Sequence, residues 1–420
     1  MRRACAALLA LTVACGDPAL AAPAPAPAPA TPTATATAPA PAPAPAPATA
    51  TATAPAAVLT LEASGDLVLN DLAMRSVRAH PSEDAGYRAL LDGYARTLTP
   101  GALTYINLEM PLIDTRVALD NGWPRSRAER PRRPPVLGAS PALAPVLAAL
   151  GVELVGLGNN HALDQDWAGL WSTIDALDAA GLAHAGAAPS PDAAHAGRIV
   201  EHDGHRVAFL SFAEFVNRRA ADGPVGSIAR LDPEEPMLAA VASARAEADL
   251  VVVAVHWSTD FLAEVRPSQR ALARRIVDAG ADVVLGTGPH VLQPVETIAS
   301  PRGDAVIAYS LGNLTSGMGR AYRVGEVIED PVHLANVSPE ARDGAVLRLR
   351  ISLGPPIAIT ADAALLFTAN DWLLARDARA AVVRVLPLAE LDAATCAERL
   401  PLMRAALGTT LPVVPDSCLH

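Results

Sequence analysis

Asn159-Asn160-His161, with a carboxylate following at Asp164, places an amide oxygen and an imidazole side by side. Both groups can hold a metal ion or contact a phosphate, and Asp164 can orient the imidazole from behind. On its own such a cluster is more simply an Asn-rich turn carrying a surface histidine. Its company changes that reading. Asp66, Glu109, His161, His256 and His290 are scattered over more than half the chain, yet each stands at or just beyond the end of an apolar, β-like run. Carboxylates and imidazoles gathered at one sheet edge point to a metal or catalytic site.

The elements that must carry these residues can be traced in order. Val58 to Ala63 reads as a first strand ending at Ser64-Gly65-Asp66, where Gly65 permits a tight turn and Asp66 offers a carboxylate. A helix over Ala85 to Leu98 precedes a strand, Leu103 to Leu108, that brings Asn107 and Glu109 to the same edge. A buried Asn-x-Glu at a strand end needs partners, which favours a cation or polar ligand over a capping role for Glu109. Pro141 to Leu150 reads as a helix, Val152 to Val155 as a strand and Trp167 to Ala180 as a helix. Arg198 to Phe212 is a hairpin turned at Asp203-Gly204, which makes His202 and His205 turn residues rather than ligands. After a helix over Pro236 to Glu247, the continuously apolar Leu250 to Val255 marks a buried parallel strand, and His256 follows it directly. A helix from Gln269 to Gly280 leads to the strand Ala281 to Gly286 and on to His290. Ala305 to Leu311 leads to Gly312-Asn313. Ala345 to Leu353, with Arg348 and Arg350 facing outward, and Ala381 to Leu386 read as late strands extending the same domain.

Six motifs tie these positions together: Gly65-Asp66, Asn107-Leu108-Glu109-Met110-Pro111, Asn159 to Asp164, His256-Trp257, Pro289 to Glu296, and Tyr309-Ser310-Leu311-Gly312-Asn313. Their order resembles that of CapA-type capsule proteins, from about Leu59 to Asn313. The resemblance implies an α/β fold: a two-sheet sandwich like that of calcineurin-like metallophosphoesterases, with 58–330 as the domain and 331–420 as its extension. It implies a role in synthesis or export of a poly-γ-glutamate-type capsule or exopolymer, alongside other capsule-assembly proteins. It further implies Asp66, Asn107, Glu109, Asn160, His161, His256 and His290 as holders of one or two divalent ions (Mn, Fe or Zn). His161, Asp164, His256 and Asp260 would then act on the bond.

Two departures stand out. The family continues His-Trp with glycine and then glutamate, where this chain has Ser258 and Asp260. It also expects His-Pro-His where this chain has Gly288-Pro289-His290, which leaves a second metal position short of an imidazole that Thr287 replaces poorly. Two readings stay open: a metal-dependent hydrolase of a phosphoester or related bond, and a noncatalytic anionic-polymer-binding or export scaffold. A periplasmic phosphatase for nucleotides or sugar phosphates would share the site but not the polymer. Asn313 is a candidate for orienting a site residue, contacting substrate or capping its turn.

Between Trp123 and Pro134 lie Arg125, Arg127, Arg130, Arg132 and Arg133. Arg125 and Arg127 are candidates for binding a carboxylate-rich or phosphorylated substrate, against the plainer reading of a solvated loop. The chain as a whole carries a formal charge of −11 over 420 residues, which argues against a nucleic-acid partner. Met1-Arg2-Arg3 and the apolar run Ala6 to Ala14 have the form of a secretory signal. Leu11 to Cys15 resembles a lipobox, which would end the signal at residue 15, acylate Cys15 and anchor the protein to a bacterial membrane. Ala19-Leu20-Ala21 is a competing cleavage site that would release it. Residues 16–57, rich in Ala, Pro and Thr, read as a disordered spacer. Cys396 and Cys418 could close the C-terminal tail in an oxidising compartment.

Overall fold

Alternation along single strands explains how this chain builds its layers. In a computed structural model, which describes residues 58–114, 136–217, 226–325, 334–370 and 382–418, Leu59, Leu61 and Ala63 point to one face of the first strand. The signal and spacer, Cys15, and the whole Arg125 to Arg133 run lie outside the described residues. The strands β1 (Val58–Leu67), β2 (Leu103–Leu108), β3 (Leu154–Gly156) and β4 (Ala183–Ala185) are parallel neighbours. Between them run α1 (Asp71–Arg78), α2 (Glu83–Ala95), α3 (Leu143–Ala149) and α4 (Asp166–Ala179). The short β5 (Ala187–Ala188) and α5 (Pro191–Ala196) lead to the hairpin β6 (Arg198–His202) and β7 (His205–Ala213). Then come β8 (Ser227–Ile228), which pairs with β5, α6 (Glu234–Glu247), β9 (Leu250–His256), α7 (Pro267–Asp278) and β10 (Val283–Thr287). β11 (Val295–Ser300), β12 (Gly303–Ala308), β13 (Asn313–Thr315) and α8 (Leu334–Val337) follow. The described chain closes with β14 (Asp343–Ser352), β15 (Ala358–Asn370), β16 (Val383–Pro387) and α9 (Ala393–Leu407).

Two large sheets result beside the small β5-β8 pair, one ordered β16-β15-β14-β1-β2-β3-β4 with β13 on β1, the other β11-β12-β10-β9-β7-β6. The two-sheet α/β sandwich expected from the sequence is the architecture found. Leu250, Val252 and Ala254 of β9 share a core with Leu59, Leu61 and Ala63 of β1, so the sheets face each other. Val251, Val253 and Val255 point the other way, onto Met237 and Val241 of α6 and Ile276 of α7. Because β9 is covered on both faces, its run is apolar without alternation. Each of the fully buried Val, Leu, Ile and Met side chains among them contributes about 1.5–3 kcal/mol. Together they outweigh the roughly 1–3 kcal/mol cost of each polar group the strand ends carry inward without a partner.

Several local readings need correction. Helix α2 begins at Glu83, with Ser82 accepting from the Ala85 N–H, and it ends at Ala95 rather than Leu98. Helix α1, capped by Asn70, was missed because its eight residues form little more than two turns. Arg348 does not face solvent: its Nε donates to the buried Glu62 at 2.7 Å, while Arg350 is exposed and pairs with Asp362. β14 pairs along its length with β1, so residues beyond 330 are part of the first sheet. Cys396 and Cys418 form a disulfide.

Candidate metal centre

The first sheet delivers the acids. Asp66, next to last in β1, lies beside Asn107 of β2, and Glu109 stands one residue past the end of β2. A side chain at Gly65 would collide with the Gly312 carbonyl, 1.9 Å from its Cβ, so glycine lets β1 press against the turn before β13. Asp66 is fully buried, and its oxygens are engaged: Asn107 Nδ2 donates to Oδ1 at 2.7 Å and the Gly288 N–H to Oδ2 at 2.9 Å. Glu109 is equally buried, yet neither of its oxygens has a hydrogen-bond partner among the described residues.

The imidazoles close around that unpartnered carboxylate. His256 ends β9, His290 follows β10, and His161 sits in the turn between β3 and α4. Their Nε2 atoms lie 3.5, 3.7 and 3.9 Å from Glu109 Oε1, respectively. Each ring is held from its other nitrogen. Thr287 Oγ1 is 3.0 Å from His256 Nδ1, Asn313 Oδ1 is 3.0 Å from His290 Nδ1, and Asp164 Oδ2 is 2.6 Å from His161 Nδ1. Fixing one ring nitrogen and presenting the other is how metal-binding histidines are oriented. Single ligand atoms of Asp66, Glu109 and His256 all lie within 4.8 Å of one another, so these three could form a metal site.

Electrostatics agree with that geometry. Burial, with the charges of Asp66, Asp260 and Asp164 adding to it against His290, pushes the Glu109 carboxyl well above its usual range. Burial lowers His256 to about 4. At His290 burial is overcome by Glu109 and Asp66, which raise it to about 10. Asp66 is lowered despite its burial, chiefly by a hydrogen bond from His290 and the charges of His256 and His290. His290 and Asp66 thus each favour their charged forms, while burial works against charge on Glu109. An orphaned buried carboxylate with three imidazoles around it fits a divalent cation better than it fits a finished hydrogen-bond network.

A cleft of about 470 Å³ opens onto this group, lined by Glu109, Asn160, His161, Asn217, Asp260 and His290 together with Phe215, Phe261, Leu137 and Met318. Phe261 and His290 both have left-handed backbone, φ 60° and 57°, and the Phe261 N–H donates to the Pro289 carbonyl at 2.7 Å. Each such conformation costs on the order of 1–3 kcal/mol and persists where surroundings fix it. Asp260 is exposed on the cleft wall, and Asn160 Oδ1 is buried without a partner among the described residues. Asn107 donates its amide nitrogen to Asp66, and its Oδ1 accepts from Asn159 Nδ2 at 3.4 Å. Asn313 does not line the cleft. Its Oδ1 lies 3.0 Å from His290 Nδ1, and its Nδ2 donates to the Ala341 carbonyl at 2.8 Å.

The model of the family described as bacterial capsule synthesis protein PGA_cap matches residues 60–318. The chain belongs to this family. It is 32% identical over 176 residues to the PGA biosynthesis protein CapA of Bacillus subtilis, covering 41% of this chain and 45% of that protein. It is 33% identical over 174 residues to the capsule biosynthesis protein CapA of Bacillus anthracis, covering 40% and 41%. A probable polyglutamine synthesis accessory protein of Mycobacterium tuberculosis is 30% identical over 176 residues, covering 39% and 46%. The chain thus spans less than half the length of each of these relatives. Among solved structures, a Mycoplasma pneumoniae phosphatase aligns at 12% identity with a TM-score of 0.38, over 74% of this chain and 94% of that one.

Within this PGA_cap member, three contributors escaped the sequence reading. Thr287 was weighed as a poor replacement ligand, whereas its hydroxyl lies 3.0 Å from His256 Nδ1. Asn217, whose Nδ2 is 3.3 Å from His161 Nε2, and Phe261 stand on irregular segments that carry no periodic signal. The position of Asn217 after the apolar run ending β7 was the one available hint.

Proposed function

We propose that this chain is a cell-envelope protein of capsule or poly-γ-glutamate-type exopolymer synthesis or export, carrying a metal-dependent hydrolase site for a phosphoester or related bond. The observation that carries the hydrolase reading is Glu109, buried with both oxygens unpartnered while three imidazole nitrogens converge on one of them. Glu109, His256, His290 and Asp66 would hold the ion. When bound, a divalent cation there supplies Lewis acidity and lowers the pKa of water.

The chain's own groups do the rest. Asp164 fixes the His161 ring, so that its Nε2 can hand a proton to the leaving group at the cleft. Asn160 offers a carbonyl oxygen and Asn217 an amide to orient the bond, and Phe215 and Phe261 exclude bulk water. The envelope reading is supported by the charged, apolar start of the chain, by Cys15 as an acylation site with a Pro-rich spacer after it, and by the Cys396–Cys418 disulfide, which suits an oxidising compartment. No helix among the described residues is long and apolar enough to cross a membrane. Arg125 and Arg127 are the candidates for gripping an anionic polymer.

Gly288 favours the rival reading of a noncatalytic scaffold, since it removes an expected imidazole. A screen of the metal-loaded protein against phosphomonoesters, phosphodiesters and poly-γ-glutamate separates the two. Turnover that depends on the ion and falls about 10²–10⁴-fold in His161→Ala is expected. Binding of the polymer with no turnover of any substrate would leave the scaffold.

A further inference from the structure

We propose that Phe261 is a specificity-determining residue of the cleft, selecting a substrate that carries an apolar group beside the reacting bond, and that Glu214 is the positioning residue that sets it there. The proposal rests on the metal-centre reading above and names the substrate class of that site. Around the polar group of Glu109, His161 and His290 the cleft is walled by Phe215, Phe261, Leu137, Val68 and Met318. A bond brought to the imidazoles therefore carries its flanking atoms onto carbon, where apolar atoms gain by leaving water.

The placement of Phe261 is specific. Its backbone is left-handed, φ 60°, which glycine adopts freely and an aromatic residue rarely does, so the position keeps a side chain against its backbone preference. That side chain lies beside the centre: its ring is 6.0 Å from the His290 ring, tilted by 39°. The Phe261 N–H donates to the Pro289 carbonyl at 2.7 Å, which ties the ring to the segment that presents His290. Gln293, fully buried, holds the next residue, its Nε2 donating to the Leu262 carbonyl at 2.8 Å.

Glu214 fastens both ends of the loop. It follows β7, and its backbone N–H donates to the His256 carbonyl at 2.9 Å. Its carboxylate accepts from the Ser258 N–H at 2.8 Å and from Arg266 Nη2 at 2.8 and 3.1 Å, so one side chain spans the start and the end of residues 258–266. Bonds to an ionised carboxylate are roughly twice as strong as neutral ones. The loop thus brings Asp260 and Phe261 to the cleft as a preformed wall.

The test is calorimetric titration of the full chain with n-alkylphosphonates from methyl to pentyl, after reloading with Mn(II), Fe(II) or Zn(II) and a check of metal content by elemental mass spectrometry. In the parent, affinity is expected to rise about fourfold per methylene. Phe261→Gly suits the left-handed backbone, so it keeps the fold and the metal content while flattening the series, and Phe261→Leu restores most of the rise. Glu214→Ala should flatten the series as well, and Glu214→Gln less so. A flat parent series, or no phosphonate bound to the loaded chain, overturns the inference and leaves the metal-centre reading standing. A rise that survives Phe261→Gly overturns the assignment to Phe261, and one that survives Glu214→Ala overturns the role of Glu214. No binding of any of the three ions removes the metal-centre reading and the inference together.

Discussion

Glu109 and Asp343 are both buried acids, 0% and 3% exposed, yet their surroundings have opposite logic. Asp343 opens β14 and faces Arg399 of α9, whose Nε donates to Oδ1 at 3.2 Å and whose Nη2 reaches the other oxygen. That guanidinium is itself 1% exposed, so the charges are removed from water together and answer each other within the chain. Glu109 meets three imidazoles and no hydrogen bond. The first acid is satisfied by the fold, whereas the second is left open among three imidazoles and could hold an ion.

The widest contrast should come from removing one partner in each region. Arg399→Met strands Asp343 and is expected to cost about 3–5 kcal/mol in denaturant unfolding without changing metal content. Glu109→Gln, compared in the metal-free state, should leave stability equal to or above that of the parent. An Arg399→Met protein as stable as the parent would end the comparison. A smaller effect tests the ring supports: Thr287→Val should weaken metal affinity by about 10–100-fold, read by competition with a chelator, and leave the metal-free melting temperature nearly unchanged. An unaltered affinity would mean that packing alone fixes the His256 ring.

The smallest expected effect lies on the helix that carries Arg399. Asp392 caps α9 by accepting from the Thr395 N–H at 3.0 Å, and that bond holds its carboxyl below the ordinary aspartate range. Asp392→Ala should cost about 1 kcal/mol at neutral pH. Because the folded pKa is depressed, the stabilisation is full above the unfolded pKa and fades as pH falls through the folded one. Parent and variant should therefore converge in acid, and a gap that persists there would show that the cap acts without its charge.

Much of the centre was legible because strand ends are local signals. The apolar run before His256 announces a strand buried on both faces, and whatever follows such a strand in a parallel sheet stands at its ligand-bearing edge. Asp66, Glu109, His161 and His290 were found in the same way. Thr287, Asn217 and Phe261 were not, since a hydroxyl's partner, a turn's backbone angle and the wall of a cleft depend on residues distant in sequence. Asn313 shows the same limit: a polar residue at a strand edge can face a ligand or a neighbour's ring, and only the position of His290 decides between them.

By itself the sequence determined the two-sheet class, the strands, the family and the residue types at the edge, because each follows from periodicity or from motifs along a short stretch. The tertiary structure decided which of two buried acids is satisfied, which nitrogen of each histidine faces Glu109, and that Gly288 lies where no side chain fits. Those are questions of distance between strands of two different sheets, and spacing along one chain does not encode them.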